Sequence, residues 1–157
     1  MSENTTFQDV FNQAIKYLSF RTHSLGELQD KLLRKKFPRP LINQALRRLE
    51  ELDYLNDERY ARLYLESLKL YKILGYFGIK AKLLKKKIPS EIIERVLEEG
   101  LDAEEEAACA RRFLDRKKIS PRSYEQLARG LAGRGFHTDV IRRALNEFFA
   151  ANKADKE

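Results

Sequence analysis

The sequence predicts an all-α protein, an elongated tandem array of three three-helix-bundle repeats with about nine helices. Three observations predict it: apolar residues recur at helical spacing almost throughout, one core pattern occurs three times, and no segment shows the sustained two-residue alternation of a strand. In the repeated pattern, Leu32 recurs as Leu83, 51 positions later, and as Leu131 after a further 48. Repetition near this period is typical of stacked helical units that share a continuous core.

Apolar residues separated by three and four positions place each helix, beginning with the stripe through Val10, Ala14 and Leu18. Within a single chain of 157 residues, repeat one covers about 7–52, repeat two about 57–99 and repeat three about 103–151, followed by a flexible tail at 152–157. The predicted helices lie at about 7–20, 25–36, 40–52, 57–73, 76–87, 91–99, 103–118, 121–133 and 139–151.

Signals for the start of a helix recur together with the core. Ser24 with Glu27, and Ser123 with Gln126, predict capping boxes at the second and eighth helices, because each pair satisfies two free backbone N–H groups. Gly75 occupies the matching N-cap position of the fifth helix. The agreement of caps and core positions supports three repeated units.

The remaining helix starts are less uniform. Asn56 or Asp57 is the expected cap of the fourth helix, and Pro40 suits the first turn of the third helix. Ser90 and Thr138, each followed by a carboxylate, are the expected hydroxyl caps of the sixth and ninth helices. Pro121 marks the start of the eighth helix.

The overall charge indicates the kind of partner. Lysine and arginine total 31 against 24 aspartate and glutamate residues, a net charge of +7. Such an excess favours a polyanionic partner, either nucleic acid or an acidic protein surface; the alternative is a charge-rich helical surface that only maintains solubility. Since no apolar run reaches the ~18 residues of a membrane span, we expect a cytoplasmic protein that does not contact membranes.

The residues needed for catalysis or metal binding are missing. The single cysteine, Cys109, excludes an intramolecular disulfide and is expected in the core. His23 and His137 are expected to be solvated loop residues, and the carboxylates at 104–106 to be solvated surface. With no zinc-type spacing and no phosphate-binding loop, we expect no catalytic residue, no metal, no cofactor and no enzymatic activity.

Basic residues cluster on the second helix of each repeat. In repeat two, Lys82, Lys85 and Lys86 share one helix face, because they are separated by three and four positions. Lysines in a last turn can simply complement the helix dipole, but that explains one or two lysines per helix. The second helix of repeat two carries five within eight residues: Lys80, Lys82, Lys85, Lys86 and Lys87. We therefore expect a functional cationic stripe along the array.

Three-helix units with a basic helix also suggest a helix-turn-helix that enters the major groove. The third helices, however, carry mostly arginine, glutamate and apolar residues, and their few amides are Asn43, Gln44 and Asn146. Phosphate contacts are easily supplied by these residues, whereas base readout is poorly supplied. We expect nucleic-acid binding without sequence specificity.

Three ordered motifs connect the chain to a known family. They are Ala14-x-x-x-Leu18-x-x-Arg21-x-x-Ser24-x-x-Glu27-Leu28-x-x-Lys31-Leu32, then Tyr54-Leu55-Asn56-Asp57-x-Arg59-Tyr60-Ala61, and then Gly75-x-x-x-Ile79-x-x-x-Leu83-x-x-Lys86-x-Ile88. Over about residues 10–150 the chain resembles the RecX family of recombinase regulators. It departs from the family in having Lys36 and Lys87 where glycine is usual after a helix end, although Gly135 keeps that glycine. Gly78 stands where the family often has a basic residue, and Asn56 where it usually has aspartate.

The resemblance implies a function. Such proteins bind the RecA recombinase as a filament on DNA and limit its assembly, ATP hydrolysis, strand exchange and co-protease activity in DNA repair, so we expect a monomer that modulates, and chiefly inhibits, RecA. The alternative is a stand-alone DNA-binding helical protein with an architectural or transcriptional role, binding single- or double-stranded DNA weakly and without sequence specificity. Motif positions and basic clusters together give the expected partner-binding residues: Arg21, Lys31, Lys35, Lys80, Lys82, Lys85, Lys86, Arg129 and Arg134.

Overall fold

The structure is a computed structural model that describes residues 4–118 and 122–155. Within these ranges it contains nine α-helices and no strand. The helices are α1 (Phe7–Phe20), α2 (Leu25–Arg34), α3 (Arg39–Glu51), α4 (Asp57–Tyr71), α5 (Tyr76–Lys85), α6 (Ser90–Gly100), α7 (Ala103–Asp115), α8 (Tyr124–Gly133) and α9 (Thr138–Ala154). The expected start of the eighth helix at Pro121 lies outside the described residues.

The helices pack in three sequential groups, α1–α3, α4–α6 and α7–α9, each around its own apolar core. The repeated leucines Leu32, Leu83 and Leu131 are fully buried, one in each core. Cys109 is buried in the third core, as expected. The structure therefore confirms the predicted all-α array of three-helix repeats.

The second helices of the three repeats meet end to end. At the start of α2, the Ser24 hydroxyl donates a hydrogen bond to the carbonyl of Lys86, just after α5. At the start of α5, the Gly75 amide donates to the Arg134 carbonyl (3.0 Å) and the Phe77 amide to the Gly135 carbonyl (2.8 Å), both just after α8. Helix α2 therefore begins against the end of α5, and α5 begins against the end of α8. We call α2, α5 and α8 the second-helix row.

Left-handed residues end the helices of this row. Lys36, Lys87 and Gly135 have φ values of 64°, 61° and 82°, so the two lysines occupy the conformation that glycine prefers. This ends α2 and α5 two residues earlier than predicted. An added Cβ on Gly78 would lie 2.3 Å from the Arg134 carbonyl oxygen, so this junction leaves no room for the basic residue that the family often has there.

The helix caps are confirmed in part. Both capping boxes form, Gly75 is the N-cap of α5, and the Asn56 side chain accepts from the Arg59 amide (2.9 Å). The prediction that Ser90 and Thr138 are caps was wrong. The first intrahelical bonds of α6 and α9 already reach the carbonyls of the preceding residues, Pro89 and His137, which makes the serine and the threonine the first helical residues.

The last helix, α9, continues to Ala154, three residues past its predicted end, while residues 156–157 of the expected tail lie outside the described ranges. No helix in the described part of the chain is both long enough and apolar enough to cross a membrane.

Two side chains expected to be solvated are buried. Glu106 is 3% exposed, because its carboxylate accepts hydrogen bonds from the Tyr76 amide (3.3 Å), the His137 amide (2.8 Å) and His137 Nδ1 (2.8 Å). These donors replace water and connect α7 to the starts of α5 and α9. His23 is 2% exposed and lies between α1 and α2. His137 itself remains half-exposed.

Candidate binding surface

Outside the second-helix row, about half of the cations in the described ranges lie beside carboxylates. Arg62 bridges Glu58 and Glu99 at 2.7 Å each, and Arg143 binds Glu104 at 2.8 Å. Such exposed ion pairs contribute little stability, but they neutralise the local charge. The remaining pairs of this kind are Arg48–Glu51, Arg59–Asp53, Lys69–Glu66, Lys69–Glu105, Arg95–Glu58, Arg111–Glu147, Lys118–Asp115, Arg142–Asp139 and Arg143–Glu147.

The cations of the second-helix row are different. Helix α5 contains no acidic residue at all, and Lys82 and Lys85 lie in its last turn. Of the nine expected partner-binding residues, only Arg21 (Glu27, 3.2 Å) and Lys80 (Glu94, 3.9 Å) have a carboxylate within 4.0 Å in the described ranges. The others have none there: Lys31, Lys35, Lys82, Lys85, Lys86, Arg129 and Arg134. We call these seven the row cations.

The row cations differ in exposure. Lys35, Lys85, Arg129 and Arg134 are exposed, whereas Lys31, Lys82 and Lys86 are half-buried. Of the three row cations at the end of α5, only Lys85 is therefore fully exposed. Lys86 contacts an aromatic ring, since its Nζ lies 5.4 Å from the centre of the Tyr64 ring.

Arg134 is also engaged within the protein. Its guanidinium donates to the Ile73 carbonyl (3.2 Å) and lies 5.1 Å from the centre of the Phe113 ring. Since Ile73 precedes α5 and Phe113 belongs to α7, Arg134 holds repeats two and three together. A contact between Arg134 and a partner would use only the part of the guanidinium that faces solvent.

The junction of repeats one and two is held by side chains that the motifs include. Asp57 accepts a hydrogen bond from the Leu25 amide (2.8 Å), so a carboxylate of α4 caps α2 and does not cap its own helix. Burial raises the pKa of Asp57. Burial is also the main cause that raises the pKa of Tyr60 to about 12, and the nearby Glu27 carboxylate raises it further. Burial opposes ionisation of Glu27, but hydrogen bonds from Ser24 and Arg21 outweigh it and lower the pKa.

Lys31 is positioned by the buried histidine. His23 Nδ1 lies 2.9 Å from the Arg21 carbonyl oxygen, and His23 Nε2 lies 2.7 Å from Lys31 Nζ. Because the carbonyl can only accept, Nδ1 carries the proton and Nε2 accepts from Lys31. Burial is the main cause that lowers the pKa of His23, and the positive charges of Arg21 and Lys31 lower it further.

The arrangement suits the binding of a polyanion. Neither described range, 4–118 or 122–155, contains a group of three or more His, Cys, Asp or Glu side chains that could hold a metal ion. Accessible cations without carboxylate partners attract phosphate or carboxylate groups of a polyanion. Sequence reasoning found these cations but missed the roles of His23, Asp57 and Arg134 inside the protein.

Comparisons with known proteins agree over most of the chain. The family models of the first and second three-helix domains of RecX match residues 11–49 and 56–97. A protein of Caldanaerobacter subterraneus subsp. tengcongensis named regulatory protein RecX is 36% identical over 135 residues, which cover 86% of this chain and 68% of that protein.

Other relatives carry the same name. The protein of Prosthecochloris aestuarii is 32% identical over 151 residues, covering 94% of this chain and 97% of its own length. The protein of Bacillus subtilis is 30% identical, but the chain spans only 58% of its length. Among solved structures, RecX from Lactobacillus salivarius has a TM-score of 0.84 at 24% identity, covering 92% of this chain and 97% of that chain, which shows the shared fold.

Proposed function

The chain belongs to the RecX family, and from that premise we propose that it binds the RecA recombinase filament on DNA and limits its activity. The activities concerned are filament assembly, ATP hydrolysis, strand exchange and co-protease function, and the place of action is the cytoplasm. The protein acts as a regulator without catalytic residues of its own.

The distribution of unpaired cations supports this proposal best. Elsewhere in the described ranges about half of the cations lie beside carboxylates, whereas the row cations extend over all three repeats without carboxylate partners. A filament of protein on DNA offers a repeating, polyanionic surface, and a series of cationic sites at successive repeats can contact it at several points. Several weak contacts made by one folded chain add up to strong binding.

The same chemistry explains binding without sequence preference. Lysine side chains supply charge to phosphates or carboxylates, but they read base edges poorly unless they are oriented in a groove. The long, flexible side chains of the α5 lysines can also adjust their positions to the repeat of a helical partner. Inhibition follows when the bound regulator stabilises a filament state that neither grows nor hydrolyses ATP efficiently.

The proposal is tested with the purified protein and the recombinase of the same organism. We expect DNA-dependent ATP hydrolysis to fall as the protein is added, and the protein to co-sediment with recombinase filaments. Unchanged hydrolysis together with binding to free DNA would instead support a stand-alone DNA-binding protein. A protein that neither lowers ATP hydrolysis nor binds filaments or free DNA would contradict both the proposed function and the alternative.

A further inference from the structure

A cationic depression lies on repeat one, beside the last turn of α2. It has a volume of about 290 Å³ and is lined by Tyr17, Lys31, Arg34 and Lys35. None of the three cations has a carboxylate within 4.0 Å in the part of the chain that the structure describes. Three positive charges thus converge on one small concave site beside an aromatic ring.

The acids of α2 are held away from this depression. Glu27 binds Arg21 at 3.2 Å, and Asp30 binds Lys87 of repeat two at 2.8 Å. Burial is the main cause that lowers the pKa of Lys31, and the positive charges of Arg21 and Arg34 lower it further against the opposing effect of the Glu27 carboxylate. An anion in the depression would relieve this repulsion, since opposite charges favour the ionised form.

Lys31 is held in place before any ligand arrives. Its Nζ donates to His23 Nε2 (2.7 Å) and lies 5.1 Å from the centre of the Tyr17 ring. His23 is itself fixed by burial and by its Nδ1 contact with the Arg21 carbonyl. A lysine whose rotamer is already chosen loses less entropy on binding than a free surface lysine.

We propose that Lys31, Arg34 and Lys35 bind one backbone phosphate of single-stranded nucleic acid, and that His23 is a positioning residue that holds Lys31 for it. The aromatic wall formed by Tyr17 favours a single strand, because cations beside an aromatic ring are typical of single-strand sites. The inference deepens the proposed function, since it places a nucleic-acid contact at the α2 end of the second-helix row.

The first test measures binding of the intact protein to a fluorescent oligothymidylate by anisotropy over a range of salt concentrations. The substitutions Lys31→Gln, Arg34→Gln and Lys35→Gln should each weaken binding on the order of tenfold, as expected for a lost charged hydrogen bond. Because the site neutralises one phosphate, removing all three cations together should lower the log–log salt slope by about 0.7. The matched control is Arg47→Gln, an exposed cation of α3, which should bind nearly as wild type. Equal effects in all four variants would overturn the site.

The second test isolates the role of His23. His23→Leu should weaken binding about as much as Lys31→Gln, whereas His23→Gln, which can still accept from Lys31, should retain most of the affinity. In the double variant His23→Leu/Lys31→Gln, the loss should equal that of Lys31→Gln alone, because His23 acts through Lys31. Additive losses would show a merely structural role for His23 and overturn the positioning. Circular dichroism verifies that each variant is folded; if the leucine variant is not, the comparison of His23→Gln with Lys31→Gln decides the point.

The third test separates phosphate from carboxylate ligands. Unlabelled oligothymidylate should displace the probe, and a polyglutamate peptide of equal charge should compete far less well. Equal competition would assign the depression to acidic protein surfaces and overturn the nucleic-acid assignment, as would displacement by inorganic phosphate at the same charge concentration. None of these assays contains recombinase, so an unchanged rate of ATP hydrolysis would contradict the proposed function without touching this result.

Discussion

Replacing Gly78 with alanine tests the end-to-end junction of repeats two and three. The new Cβ would lie 2.3 Å from the Arg134 carbonyl oxygen and 3.1 Å from Leu74 Cδ2, so the two helix ends must separate. Separation breaks the backbone hydrogen bonds from Gly75 to Arg134 and from Phe77 to Gly135. Each broken bond that leaves a buried group unpaired costs about 1–3 kcal/mol.

Helix propensity acts in the opposite direction. Alanine inside a helix is more favourable than glycine by about 1 kcal/mol, and Gly78 lies inside α5. With two bonds at risk, the net loss of unfolding free energy should be about 1–5 kcal/mol. Without the close approach, the same substitution would stabilise the protein. The sign of the change in unfolding free energy therefore distinguishes the two cases.

Gly133 provides the matched control. It is the last residue of α8, and an added Cβ there meets nothing within 4 Å among the described residues. Gly133→Ala should therefore be neutral or stabilising by up to about 1 kcal/mol. Urea denaturation followed by far-ultraviolet circular dichroism measures both variants. Equal stability of Gly78→Ala and Gly133→Ala would contradict the close approach of the start of α5 to the end of α8.

Three further predictions concern the core, the buried histidine and the left-handed lysines. Leu83→Ala should lower the unfolding free energy by about 2–5 kcal/mol in urea, whereas the exposed Leu84→Ala should change it by less than about 0.5 kcal/mol; a silent Leu83→Ala would refute the register of repeat two. The pKa of His23 in the folded state lies below 6.5, so the contribution of neutral His23 to the unfolding free energy is fully present above pH 6.5 and is lost as the pH falls through the folded-state pKa. Melting temperatures measured against pH should show this loss in the wild type and not in His23→Leu. Identical pH profiles of the two proteins would contradict it. Lys36→Gly should raise stability by up to about 1 kcal/mol by relieving the left-handed conformation, and a lower melting temperature would argue against strain there.

The fold was predictable because local signals and the repeat agree. The burial of Leu32, Leu83 and Leu131 follows from apolar periodicity, and the family's usual glycine at the positions of Lys36 and Lys87 marked the two helix ends that are left-handed in the structure. Apolar periodicity and helix caps depend on residues near one another in the chain, and the repeat shows the same local pattern three times. The end-to-end contacts of the second-helix row depend on how the repeats are joined, which periodicity does not encode.

The buried polar residues were missed for a similar reason, although weak signals existed. His23 is the residue before the Ser24 cap, a position that often packs against the first turns of its helix, and its counterpart in repeat two, 51 positions on, is Leu74. Glu106 is separated by four positions from the buried Ala110 and by seven from the buried Phe113, so it shares their inward face. The acidic run around Glu106 concealed this periodicity.

The most direct test of the account compares two triple variants in DNA-dependent ATP hydrolysis by the recombinase of the same organism. Lys82→Gln/Lys85→Gln/Lys86→Gln removes three row cations, and Lys16→Gln/Arg47→Gln/Lys72→Gln removes three exposed cations outside the second-helix row. Both keep the cores intact and lose the same charge. We predict that the first variant loses most of its inhibition while the second inhibits like wild type. Equal inhibition by the two variants would contradict the claim that the second-helix row carries the regulatory contact.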